Sequence, residues 1–159
     1  MVTLTGSSTP LTLLDTNVLV YAVDVEAPHH YFSKALLDKA GETGSGLCVA
    51  PQNFAEFLAI VTDPRRVQQP LANGTAVETV RGFAALPGLT ILPVPVDILR
   101  RFLGLAERYA ITRQRVFDAY LVATMLGNGV RRIHTFNESD FAPFAEIEVI
   151  VPRAPATKG

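Results

Sequence analysis

The stretch LTLLDTNVLVYA, Leu11–Ala22, changes character at Asp15. Leu11–Leu14 (LTLL) reads as a short buried strand, and Val18–Ala22 has the apolar spacing of a helix. Asp15 therefore stands at the C-terminal tip of a first, central strand, the rim where open α/β sheets bind their ligands. The same position suits a helix N-cap, because Asp accepts from the free N–H groups of a helix start. Position alone leaves both readings open.

Outward from this stretch, short β-type runs alternate with longer helix-period segments. The strand candidates are Leu11–Leu14, Leu47–Ala50, Thr90–Leu92, Arg132–Thr135 and Glu148–Val151. Between them lie helix candidates Tyr31–Ala40, Gln52–Thr62, Ala76–Ala85, Val96–Tyr109 and Phe117–Leu126. In Gln52–Thr62, Phe54, Phe57, Leu58 and Val61 form an i, i+3, i+4, i+7 stripe that Asp63-Pro64 stops. Gly127 and Gly129 offer an exit from Phe117–Leu126. The alternation predicts an α/β sandwich around a mostly parallel sheet. Residues 1–10 and 152–159 are small, polar or Pro-rich, which sets the folded unit at 11–151 with loose ends.

Composition narrows the function classes. A chain of 159 residues with 48% hydrophobic and 18% charged residues, mean hydropathy +0.26, is one folded domain rather than a disordered chain. A net charge of −1 excludes holding nucleic acid by bulk charge, so any such site must be local. Cys48 is the single cysteine, which excludes an internal disulfide and a cysteine-based zinc site. It reads as a small buried hydrophobe. With no basic and apolar leader in 1–10 and no membrane-length apolar run, the expected compartment is the cytoplasm. His29-His30 reads as surface and His134 as a strand residue, with no nucleophile to suggest a histidine-based hydrolase.

Four acidic positions stand out. Glu56 lies inside a helix with Ala55, Ala59 and Ile60 at i−1, i+3 and i+4, so its surroundings read as apolar; an exposed helix glutamate is the alternative. Asp118 opens the FDAYLVATML run on the face of Val122 and Met125, where a carboxylate is costly unless paired or bound to a cation. The positive end of the helix dipole would also account for it. After the fourth strand comes TFNESDF, a polar turn in which Asn137 or Asp140 can offer an oxygen at the Asp15 rim; turn chemistry explains both equally well. If these groups converge, their repulsion raises pKa values until protons or a divalent cation neutralise them. Oxygen ligands suit Mg²⁺ or Mn²⁺, and such an ion activates water against a phosphodiester.

LLDTNVLVYA, NFAEFLAIV with Glu56, VFDAYLVATMLGNGV with Asp118, and HTFNESDF together resemble the PIN domain, and more narrowly the VapC-type ribonuclease toxins of bacterial toxin–antitoxin pairs. The resemblance runs from Leu11 to about Val151. It implies a three-layer α/β/α fold with about five strands and an endoribonuclease dependent on Mg²⁺ or Mn²⁺. It further implies that Asp15, Glu56 and Asp118 bind the metal directly or through water. Thr16 and Asn17 would orient Asp15, and Thr135 would hydrogen-bond inside the site. Family members often carry Asp where this chain has Asn137, so Asp140 takes the fourth acidic role or the fourth ligand is neutral. RNA, with single-stranded loops as the expected target, would be gripped by Arg113 and Arg115, one helical turn before Asp118, and by Arg65 and Arg66. The resemblance also implies a homodimer held by a VapB-type antitoxin whose C-terminal segment crosses the site; the positive hydropathy independently suggests self-association. Two rivals remain: a haloacid-dehalogenase-like phosphatase, which wants Asp where Asn17 stands, and a PIN-fold binding module that does not turn over.

Overall fold

The apolar runs form strands within one residue of where the sequence puts them. A computed structural model describes residues 9–153. The elements are β1 (Thr12–Leu14), α1 (Thr16–Val23), α2 (His30–Ala40), β2 (Leu47–Val49), α3 (Pro51–Val61), α4 (Asn73–Ala84), β3 (Leu89–Ile91), α5 (Ile98–Arg108), α6 (Arg115–Gly127), β4 (Arg132–His134), α7 (Glu138–Phe141) and β5 (Glu148–Ile150). The strands make one sheet in the order β3-β2-β1-β4-β5, with every neighbouring pair parallel. The expected mostly parallel sheet is thus wholly parallel.

Every residue of β1 and β2 is buried, as central strands covered by helices on both faces must be. Successive side chains point to opposite faces. Leu13 joins Cys48 and Ile133 in a core with α5, α6 and α7, whereas Leu14 joins Leu47 and Val49 in a core with α1 to α4. Burying each of these leucines completely stabilises the fold by about 1.5–3 kcal/mol. Three layers result. Cys48 is buried in the first core, and burial pushes its thiol up to about 12.

The direction of winding places the site. From β1 the chain steps outward to β2 and β3, then returns to lay β4 on the other side of β1. The reversal opens a crevice beyond the C-terminal ends of β1 and β4. Asp15 follows the first of these strands and Thr135 the second.

Two sequence readings change. Residues 137–141 do not form only a polar turn: Glu138–Phe141 is the single-turn helix α7, anchored by buried Phe141. Four residues are too few to show a helical period. Gly127 is the last residue of α6 rather than part of the exit. A Cβ there would lie 2.3 Å from Pro95 Cγ, so the glycine admits the β3–α5 connection. Gly129, at φ 71°, is the left-handed residue that ends the helix, and Val130 N donates to Met125 O at 2.9 Å. Of the terminal segments 1–10 and 152–159, residues 1–8 and 154–159 lie outside the described residues; Pro152 is buried. Among the described residues no helix is long and apolar enough to cross a membrane.

Candidate active site

Asp15 turns out to be both things the sequence allowed. As N-cap of α1 it accepts from Thr16 N through Oδ1 at 2.8 Å. Its Oδ2 accepts from Thr135 Oγ1 at 2.8 Å and from Asn17 Nδ2 at 3.3 Å. Asn17 Nδ2 also reaches Thr135 Oγ1 at 3.2 Å, which in turn accepts from Asn137 N at 3.0 Å. One small web therefore ties the tips of β1 and β4 together. Burial pushes the Asp15 carboxyl up to about 6, against the pull of its hydrogen bonds from Thr135 and Thr16 and with smaller help from the charges of Glu56 and Asp140.

Thr16 serves Asp15 by its backbone only. Its hydroxyl donates to Glu56 Oε2 at 2.8 Å and accepts from Asn53 Nδ2 at 3.2 Å. Glu56 is not surrounded by apolar groups: its Oε1 accepts from Gln52 Nε2 at 2.7 Å. The same Gln52 amide donates to Phe117 O at 2.9 Å, joining Glu56 on α3 to the residue before Asp118 on α6. Fully buried Asn53 completes the corner by accepting from Ala50 N at 2.9 Å. The sequence reading missed Gln52 and Asn53. The i, i+4 pair Gln52–Glu56 is a signal that could have found the first. For the second, no pattern distinguishes a buried helix Asn from an exposed one.

Asp118 lies half-buried in the first turn of α6. Its carboxyl is pushed up to about 7 by burial, then by the charges of Asp140, Asp15 and Glu56, with Arg115 opposing. Asp15, Glu56, Asp118, Asn137 and Asp140 line one groove of about 660 Å³, which runs on past the α1–α2 loop and the α3–α4 loop. Asp140, on α7, acts on both Asp15 and Asp118, as does Glu56 on α3, and it is the largest charge effect on Asp118. Asn137 is exposed at the rim.

The four arginines separate. Arg66 lines the groove, and Arg115 donates from Nη2 to Asp140 O at 3.3 Å. Arg65 is occupied by Asp63 at 3.0 Å on the surface. Arg113 is not one turn ahead on α6; it sits in the preceding loop at φ 57°. His134 is a half-buried strand residue held down to about 4 by burial, then by Lys39 and Arg132.

The donor set suits a hard divalent cation, being all oxygen with mutually repelling carboxylates. Among the described residues no three His, Cys, Asp or Glu side chains are arranged as a ready-made ligand cage. Mg²⁺ does not require such a cage, because it characteristically keeps several waters and takes one or two carboxylates directly. Gln52 Oε1 is buried without a hydrogen-bond partner.

Comparison with known proteins shows the family and the fold. The PIN domain family model matches residues 12–147. Ribonuclease VapC24 of Mycobacterium tuberculosis is 29% identical over 132 residues, spanning 82% of this chain and 89% of that protein. Among solved structures, VapBC2 from Rickettsia felis, bound to a DNA fragment from its promoter, superposes with a TM-score of 0.60 at 15% identity, covering 88% of this chain and 97% of that one. Mycobacterium tuberculosis VapC20, described as a sarcin-ricin loop cleaving toxin, gives 0.60 at 13% identity, covering 84% and 95%. At those identities the two structures speak to the fold alone.

Proposed function

This chain belongs to the PIN domain family, and we propose that it is a divalent-metal-dependent endoribonuclease, the toxin of a VapBC-type toxin–antitoxin pair. One observation carries the reading. Four carboxyl groups from β1's tip, α3, α6 and α7 face a single groove, and Asp15 and Asp118 feel the charges of the others. A merely soluble surface has no reason to gather such repulsion.

In this reading Asp15 and Asp118 bind the cation directly, with Glu56 and Asp140 reaching it through water. A bound Mg²⁺ or Mn²⁺ supplies a water of lowered pKa and neutralises charge on the phosphodiester under attack. Thr135 and Asn17 keep the Asp15 carboxylate aimed into the groove, and Gln52 sets the spacing of Glu56 from α6. Arg66 and Arg115 offset the acidic site where phosphates approach. An exposed single-stranded loop of a structured RNA is the substrate, because its backbone can be splayed for in-line attack.

Two partners complete the proposal. The apolar row Val94, Val96 and Leu99, 51%, 107% and 65% exposed, supports a second copy of this chain. A cognate antitoxin is supported by the VapBC2 complex among the structural relatives. The deciding experiment is cleavage of small RNA by the purified protein with Mn²⁺ or Mg²⁺, with EDTA, and with Asp118→Asn. Discrete products that vanish under the last two conditions are expected. No products, together with no rise in Tm on adding either metal, would sink the reading in favour of a module that only binds.

A further inference from the structure

A pile of aromatic rings reaches the acid groove through Tyr21. Tyr21 of α1, His29 at the start of α2 and Phe136 just after β4 meet there. His29 lies nearly parallel to Phe136, with centroids 4.2 Å apart and planes inclined by 14°. Tyr21 braces both, edge-on to Phe136 at 5.5 Å and tilted to His29 at 5.5 Å. Phe136 and Tyr21 are half-buried, whereas His29 is exposed, so the pile reaches the surface at His29.

The pile is fixed to the site. Phe136 follows Thr135, whose hydroxyl holds Asp15, and Phe136 N donates to Asn17 Oδ1 at 3.4 Å. His30 Nδ1 lies 2.9 Å from Tyr21 O, which pins the α2 end that carries His29. Tyr21 lines the groove, as does Pro28 next to His29. The groove is also asymmetric in charge. Arg66 stands on the α3–α4 loop, while Asp24 and Glu26 stand on the α1–α2 loop beside the rings. Phosphates are drawn toward the first wall and repelled from the second. What suits the second wall is a flat, uncharged group. Unstacked bases of single-stranded RNA lie on aromatic side chains, histidine included.

The geometry points to a nucleobase-stacking subsite: His29, backed by Phe136 and Tyr21, receives one base of a single-stranded RNA flanking the scissile phosphate, with the backbone turned toward Arg66. The inference rests on the ribonuclease reading and adds to it how the substrate lies in the groove.

The test is a binding cycle. Short fluorescein-labelled single-stranded RNAs are titrated into Asp118→Asn protein, which leaves them intact, and into Asp118→Asn carrying His29→Ala or His29→Phe. A matched set of RNAs has one base at a time replaced by an abasic ribose. His29→Ala is expected to weaken binding by roughly tenfold and His29→Phe to restore it. One abasic position is expected to cost the same factor on the parent and nothing further on His29→Ala. Equal affinities for parent and His29→Ala, abasic losses identical in the two, or no binding to either would overturn the subsite. Cleavage of the same RNAs by the unsubstituted protein with Mn²⁺ judges the ribonuclease reading separately.

Discussion

The two halves of the acid groove are built on opposite plans. On the β1–α1–α3 side, Asp15 and Glu56 are held by Thr16, Asn17, Gln52 and Thr135 through hydrogen bonds of 2.7–3.3 Å. On the α6–α7 side, Asp118 is shifted by burial and neighbouring charge, with no hydrogen bond among the forces on its carboxyl. The first half is preorganised by hydrogen bonds; the carboxyl of Asp118 in the second has none to orient it. A site of this kind keeps part of its geometry fixed while its strongest repulsion stays in reserve for a cation.

The sharpest way to break the contrast is to neutralise one carboxylate on each side. Asp118→Asn should cut RNA cleavage by about 10²–10³-fold while leaving the Tm of the metal-free protein unchanged or higher, because a repulsion has gone. Asp15→Ala should lose as much activity and also stability, since Thr135, Asn17 and Thr16 N lose their acceptor. Equal Tm values for the two variants would erase the distinction. Next in size, Asn53→Leu should destabilise the fold by about 1–3 kcal/mol in urea unfolding, by stranding the buried Ala50 N–H. It should leave metal affinity close to that of the parent, because Thr16 Oγ1 still donates to Glu56 Oε2.

The pH response follows from the raised carboxyls. Asp15 at about 6 and Asp118 at about 7 hold protons in the folded state that the unfolded chain has released above its ordinary value of 3.8. Their protonated form favours folding below that value, and the advantage is lost as pH rises through 6 and 7. A cation prefers the ionised groups, so the gap in Tm between metal-loaded and metal-free protein should widen from pH 5.5 to 8. His134, depressed to about 4, works in the opposite direction but acts on both forms and drops out of the difference. A gap that stays constant would place the cation elsewhere. The smallest effect is expected for Gln52→Met, which frees Glu56 from Phe117 O. It should lower kcat several-fold, about 1 kcal/mol, with little change in Tm.

Much of this was readable before any coordinates. Leu11–Leu14 and Asp15 declared a strand tip because apolar runs and their polar stops are local signals. Asp118 was conspicuous because it shares a face with Val122 and Met125. What escaped was non-local. Gln52 matters through a bond to α6, 65 residues on, and Arg65 is spent on Asp63 although its neighbour Arg66 faces the groove. Helix α7, which carries Asp140, is too short to have a period. Neither site residues nor their roles are encoded in spacing alone; the sheet order brings them together.

That order has a consequence for biosynthesis. The central strand β1 is finished early, but its hydrogen-bonded neighbour β4 and the Thr135 hydroxyl that holds Asp15 come 120 residues later. At translation speeds of about 5–20 residues per second, this leaves a delay on the order of ten seconds in which the nascent chain has no complete groove. Until β4 arrives Asp15 lacks the hydroxyl that holds it, and a truncated product ending before β4 should show no RNA cleavage.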